Sequence, residues 1–320
     1  MIYDIKKNNK QILYYYEFDG VSDLINHIEK TPVNKEIFNQ IASDKIPSYY
    51  CGGIGSVKEA IEVCKKGVNI SEINDFIKLN KIIEELIPIM HQKRNIQHHL
   101  YGFRPDVSRS LRGNPKSMYH LIRNEQKKGL NLLLFPNSLL SASTEQINNL
   151  GVCVIQTVKL LESMGYDVSI YFLDLCFEFD NTIEEYLYTQ IKIKSDSEIF
   201  NPIISYFPLC HPAFPRRILL RLNETMPFQL KKWVETVGRT IESVDLINEY
   251  ILNFSSYNNQ NKKIVVNFDV IKNNIIDGDD IVKDFSNFLE YINFESYLTS
   301  EQKEEYEAQN EKIKKLQKDS

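Results

Sequence analysis

The densest run of residues able to do chemistry lies between His91 and Lys128. Lys93, Arg94, Arg104, Arg109, Arg112, Lys116, Arg123, Lys127 and Lys128 are opposed only by Asp106 and Glu125, a local net charge of +7 in a chain of net charge -5. Tyr101, Phe103 and Tyr119 stand among these cations. Guanidinium and ammonium groups bind phosphate oxygens and aromatic rings stack on bases, so the composition fits contact with nucleic acid or another polyanion. Arg104, Arg109, Arg112, Lys116 and Arg123 are the candidate contacts. The plainer use of such charges is to solvate a surface or to cover an acidic face. His91, His98, His99 and His120 lie in or beside the run, and His98-His99 could ligate a metal, yet no acid or cysteine at ligand spacing accompanies them.

A second chemistry, metal-assisted phosphodiester hydrolysis, needs carboxylates that converge on divalent cations. Asp174, Glu178, Asp180, Asp269, Asp277, Asp279 and Asp280 supply carboxylates near expected strand ends and loops. Asp277-Gly278-Asp279-Asp280 reads more simply as a turn followed by a helix cap. Cys51-Gly52-Gly53-Ile54-Gly55 ahead of a helix suggests a phosphate cradle. No Lys-Ser/Thr pair follows it and no buried strand precedes it, so a Gly-rich turn is the simpler reading. His211, among Pro208, Pro212 and Pro215, suits a packed, hydrogen-bonded imidazole. Cys51, Cys64, Cys153, Cys176 and Cys210 are scattered, with no zinc or redox pair, and read as buried thiols. No nucleophile elbow, zinc-protease motif or P-loop occurs, so the chain leans away from enzymes and no cofactor is expected.

The elements that position these residues centre on 129–194. Leu130-Asn131-Leu132-Leu133-Leu134-Phe135, closed by Pro136-Asn137, has the apolar run of a strand buried on both faces. Ser143 with Gln146 forms a capping box, and Ile147, Leu150, Val154, Val158, Leu161 and Met164 mark a helical face up to Gly165. Val168 to Phe177 is a second strand, and after Asp180-Asn181 the more polar Tyr186 to Lys194 is a third, expected at the sheet edge as a hairpin partner.

Upstream, Ile12 to Phe18 is a strand, and Ser22 to Glu29 a helix. Asn34 to Ser43 is a short helix, Ser56 with Glu59 opens another, and Ile73 to Met90 a long one. Downstream, helices are expected over Asp196 to Tyr206, Arg216 to Glu224, Phe228 to Phe254 and Asp280 to Tyr291, with a strand over Lys262 to Asp269. This organisation gives a mostly helical N-terminal region (1–100), a basic loop-rich connector (101–128), an α/β domain (129–298) and a charged tail, helical or disordered (299–320).

Composition is that of an ordinary globular chain, 320 residues with 42% hydrophobic and 25% charged side chains, enough for a sizeable core. No run approaches the roughly 18 apolar residues of a membrane span, and the first residues lack the apolar stretch of a signal peptide. A cytoplasmic location and no membrane partner are therefore expected.

The order of strand, helix, strand, hairpin strand, helices, strand and helix resembles the von Willebrand factor A fold. That resemblance implies a three-layer α/β sandwich with a mainly parallel sheet and an antiparallel edge hairpin. Several phrases are similar to an uncharacterised family of tailed-phage and mobile-element proteins with such a core. They are Phe18-Asp19-Gly20-Val21-Ser22, Gly52-Gly53-Ile54-Gly55-Ser56-Val57-Lys58-Glu59-Ala60, Asp106-Val107-Ser108-Arg109-Ser110-Leu111-Arg112-Gly113-Asn114-Pro115, Leu160-Leu161-Glu162-Ser163-Met164-Gly165-Tyr166-Asp167-Val168 and His211-Pro212-Ala213-Phe214-Pro215-Arg216-Arg217.

The fold resemblance implies a divalent-cation site at the strand ends, built from an Asp-x-Ser-x-Ser loop, a later hydroxyl and an aspartate. Here Asn137 stands for the first aspartate and Ser141 for the last serine. Ser195 or Ser197 would supply the hydroxyl and Asp269 the final carboxylate. One carboxylate is a poor cage for Mg²⁺, so the site is expected to be degenerate. The implied function is a non-catalytic binding or assembly module with a protein partner, touching nucleic acid through the basic segment. The alternatives are a metal-dependent nuclease and a phage inhibitor of a host factor.

Overall fold

A computed structural model describes residues 2–7, 11–36, 42–69, 73–90, 96–100, 104–121, 128–135, 142–179, 182–196, 198–228, 261–268, 270–271, 275–300, 302–304 and 306. Six strands form the main sheet: β1 (Ile2–Lys7), β2 (Gln11–Phe18), β6 (Lys128–Phe135), β7 (Tyr166–Phe179), β8 (Glu184–Lys194) and β9 (Lys262–Asn267). Their order is β1-β2-β8-β7-β6-β9, with β2–β8, β7–β6 and β6–β9 parallel and β1–β2 and β8–β7 antiparallel. The expected strand-helix-strand-hairpin unit is therefore present, with β6 interior.

The expected edge position of β8 is not. β8 lies between β2 and β7, and its polar residues pair across the strands instead of facing solvent. Gln190 Nε2 donates to Glu17 at 2.9 Å, Gln11 Nε2 donates to Glu184 at 2.8 Å, and the Tyr14 hydroxyl donates to Glu185 at 2.8 Å. The N-terminal hairpin that supplies these partners extends the same sheet.

Seven described helices pack on one face of the sheet: α1 (Val21–Lys30), α3 (Val57–Lys66), α4 (Asn74–Met90), α6 (Thr144–Ser163), α7 (Pro202–Cys210), α8 (Leu220–Glu224) and α9 (Ile281–Tyr291), with the single turn α2 (Ala42–Lys45) against α8. Alternation along the strands decides which side chains they cover. Leu130, Leu132 and Leu134 join this core, whereas Leu133 and Phe135 join Leu173, Leu175 and Tyr188 in a second cluster on the opposite face.

Helix α6 is buried along most of its length and begins with the expected capping box, Ser143 Oγ accepting from Gln146 N at 3.1 Å and Gln146 Oε1 from Ser143 N at 3.1 Å. It meets α7 at Gly151, where an added Cβ would lie 2.4 Å from the Leu209 carbonyl oxygen, so only glycine permits this approach. The expected helix at Arg216 to Glu224 is instead a π-helix, Phe214–Leu219, running into α8. The helix expected from Asp196 starts later, at Pro202, with Asn201 as its N-cap. In the charged tail, Gln302 and Tyr306 are buried, and Tyr306 packs on Phe294 at 5.7 Å. Phe228 to Phe254 falls largely outside the described residues. Among the described residues, no helix is long and apolar enough to cross a membrane.

Candidate functional site

The basic segment is more ordered than its glycines and prolines imply. Three short strands, β3 (Ile96–His99), β4 (Arg104–Pro105) and β5 (Met118–Leu121), form an antiparallel sheet of order β3-β5-β4, with α5 (Val107–Leu111) in the excursion between β4 and β5. Asp106 caps α5, its side chain accepting from Arg109 N at 3.1 Å. The chain then turns at Gly113, whose φ of +70° lies in the left-handed region open to glycine. Asn114 N donates to the Arg109 carbonyl at 3.1 Å and Asn114 Oδ1 accepts from Lys116 N at 2.9 Å, fixing the turn.

This geometry brings Arg109, Arg112 and Lys116 together on one knuckle. Arg112 and Lys116 are exposed and Arg109 half-buried, and among the described residues none of the three is in an ion pair. Arg104 belongs to β4 through its backbone, opposite Tyr119. Arg123 lies outside the described residues, as does His91. His98, His99 and His120 are strand residues of this small sheet.

The strand-end candidates Asn137, Ser141 and Asp269 all lie outside the described residues, as does Ser197. The sheet brings the roots of two of these loops to one edge, because Phe135 at the end of β6 is the register partner of Asn267 at the end of β9. Ser195 is placed elsewhere. Strand β8 runs antiparallel and ends with Lys194 opposite Ile170, so Ser195 leaves from the edge opposite the one where β6 and β9 end. Near the end of the β6–α6 loop a cation is already built in: Arg216, 4% exposed, donates to the Ala142 carbonyl at 2.5 Å and to the Tyr50 carbonyl. Among the described residues, no three His, Cys, Asp or Glu side chains are grouped to hold a metal.

The hydrolytic candidates separate into two places. Asp174 and Glu178 stand on β7, with Glu185 of β8 directly opposite Glu178 and Thr189 opposite Asp174. All four are buried on the helix-covered face, where Asn223 of α8 lies 3.9 Å from Cys176 Sγ. Burial pushes the Asp174 carboxyl up from 3.8 to about 6, because only the Cys176 thiol and the Leu175 N–H offset its desolvation. Asp280 instead caps α9, Asp277 pairs with Lys283 at 2.5 Å, and their neighbour Asp284 takes the Asp277 and Gly278 N–H groups at 3.1 Å each. The turn-and-cap reading of that stretch holds. Asp180 is outside the described residues.

The Gly-rich turn has no free anion cradle. Gly55 N donates to Glu59 at 2.8 Å and Val57 N to Asp44 at 2.9 Å, so carboxylates already sit at the α3 N-terminus. Gly52, at φ +59°, packs against His211, where a Cβ would be 2.9 Å from the ring. His211 stacks on Phe207 with centroids 4.9 Å apart, Nδ1 accepts from Ala213 N at 3.2 Å, and burial lowers its pKa to about 4. It is a neutral packing residue.

Sequence reasoning missed the buried Arg216, Arg217 and Glu185. Arg217 is fully buried and donates to the Ser43, Ile46 and Ile54 carbonyls, the last two at 2.6 and 3.1 Å. Their signal was available: two charges inside the apolar run from Ala213 to Leu220 are tolerated only with internal partners.

Sheet, helical face and cationic knuckle together define a mixed α/β protein with a basic excursion ahead of its central strand. The chain belongs to the family described as Domain of unknown function (DUF7192), whose model matches residues 6–295. No curated protein and no solved structure matches the chain.

Proposed function

We propose that this chain is a non-catalytic binding module whose basic knuckle contacts a polyanion, of which nucleic acid fits best. The carrying observation is the set of Arg109, Arg112 and Lys116 on one fixed turn without ion-pair partners among the described residues. Such cations bind phosphate by releasing counterions. A hydrolytic centre at Asp174 and Glu178 has less support, since both carboxylates are buried beneath helices and a phosphodiester has no room to reach them.

A von Willebrand A-like core remains part of this reading. The neighbour order β8-β7-β6-β9 gives third-second-first-fourth when counted from β6, a strand order shared with open α/β sheets, and β7–β8 supplies the antiparallel hairpin. In such a sheet the strand-end crevice is the natural seat of a ligand, and in this reading it takes a protein partner. The buried Arg216 guanidinium near that edge favours a metal-free crevice.

Fluorescence anisotropy with a labelled 20-base-pair duplex and the matching single strand, across 50 to 200 mM salt, tests the polyanion half. The slope of log affinity against log salt should flatten by about 2 in the Arg112→Ala, Lys116→Ala double variant. Salt-independent binding, or no binding to either probe, would remove nucleic acid from the reading.

A further inference from the structure

The same knuckle exposes two apolar side chains that the phosphate reading does not use. Leu111 is 83% exposed and Val107 64% exposed. They stand four residues apart on α5, hence on one side of the helix, with Arg112 next in sequence and Lys116 just beyond the turn. A leucine held this far into water gains none of the stabilisation that burial gives an apolar side chain. Its backbone is not loose, because Asp106, Arg109 and Asn114 tie both ends of the turn.

We propose that Leu111 is a wedge inserted between base steps of a duplex whose phosphates Arg109, Arg112 and Lys116 hold. The inference rests on the polyanion reading and adds the form of nucleic acid and the mode of contact. An apolar wedge flanked by cations unstacks one step and bends the duplex toward the major groove. Size favours this occupant over an anionic membrane. Even a myristoyl chain gives only marginal bilayer attachment, and Leu111 and Val107 together bring about half as many carbons. One side chain, by contrast, is the right scale for one base step.

The test is a 20-base-pair duplex carrying 2-aminopurine at successive positions, with donor and acceptor dyes on its ends. Wild type should raise 2-aminopurine fluorescence at one step and bring the ends closer. Leu111→Ala should bind about tenfold or more weakly, keep the wild-type salt slope, and leave both signals at the free-duplex level when saturated. Leu111→Phe should restore them. Circular dichroism of each variant controls for folding. Binding without any unstacking, or an unchanged signal in Leu111→Ala, overturns the wedge while leaving the polyanion reading intact. No binding to duplex or single strand overturns both, and attachment to phosphatidylserine vesicles lost in Leu111→Ala would assign the knuckle to membranes instead.

Discussion

Replacing Asp174 by asparagine should make the protein more stable, and only above a defined pH. Asp174 is 8% exposed, and the polar groups reaching its carboxyl are the Leu175 N–H and the Cys176 thiol, 3.7 Å away. Two acceptors in the same layer, Thr189 Oγ1 and Asn223 Oδ1, have no hydrogen-bond partner among the described residues. A neutral carboxyl with its own O–H suits that setting better than a carboxylate does. The folded-state pKa, about 6, is raised above the ordinary 3.8 by burial, so the folded state holds the proton more tightly than the unfolded chain. The resulting stability is fully present below about pH 4 and is lost as pH rises through about 6. A gap of about two pH decades corresponds to roughly 3 kcal/mol.

Asp174→Asn keeps the shape and cannot ionise. Urea unfolding at pH 3, 5 and 8 should show the variant equal to wild type at pH 3, intermediate at pH 5, and up to roughly 3 kcal/mol more stable at pH 8. Other carboxylates titrate in both proteins and cancel in the difference. Parallel curves for the two proteins, or a variant weaker than wild type at pH 8, would refute the reasoning.

Three further outcomes follow from packing and backbone chemistry. Gly151→Ala forces a Cβ to within 2.4 Å of the Leu209 carbonyl and should cost about 3 kcal/mol, read as a drop in thermal midpoint. Arg217→Leu leaves the Ser43, Ile46 and Ile54 carbonyls without their donor and should cost about 3 kcal/mol or more, with limited proteolysis cutting first between residues 42 and 55. On β9 the Tyr291 hydroxyl donates to Val265 O at 3.3 Å and accepts from Asn267 N at 3.4 Å, occupying backbone groups that another strand would otherwise bind. Tyr291→Phe should cost about 1 kcal/mol and promote concentration-dependent self-association in sedimentation velocity, whereas an unchanged monomer–dimer distribution would show the edge to be closed by other means.

The parts of this fold legible in the sequence were those with local chemistry. Ser143 with Gln146, the apolar run at Leu130 and the Asp280 cap all declare themselves within a few residues, and each element appears where expected. The position of β8 was not legible, because polar residues on a strand read as solvent-facing when their partners are unknown. Glu184, Glu185 and Gln190 are matched by Gln11, Tyr14 and Glu17, more than 170 positions away, and no local pattern records that pairing. The basic segment read as loop because its strands are four residues or fewer, too short for alternation to register. Its cations were legible, and Arg109, Arg112 and Lys116 do share one turn, while the strand-end set Asn137, Ser141 and Asp269 lies outside the described residues.

The parallel pairing of β2 with β8 also sets a timetable for synthesis. Gln11 meets Glu184 across 173 positions, so at about 5 to 20 residues per second the first strands wait roughly 10 to 35 seconds on the ribosome for their neighbour to be made. During that interval a ribbon bearing Tyr14, Tyr15 and Tyr16 leaves the β2 margin, later covered by β8, open. Nascent chains of this protein should therefore be held by a chaperone until the codon for Lys194 has been read and its residue has left the exit tunnel.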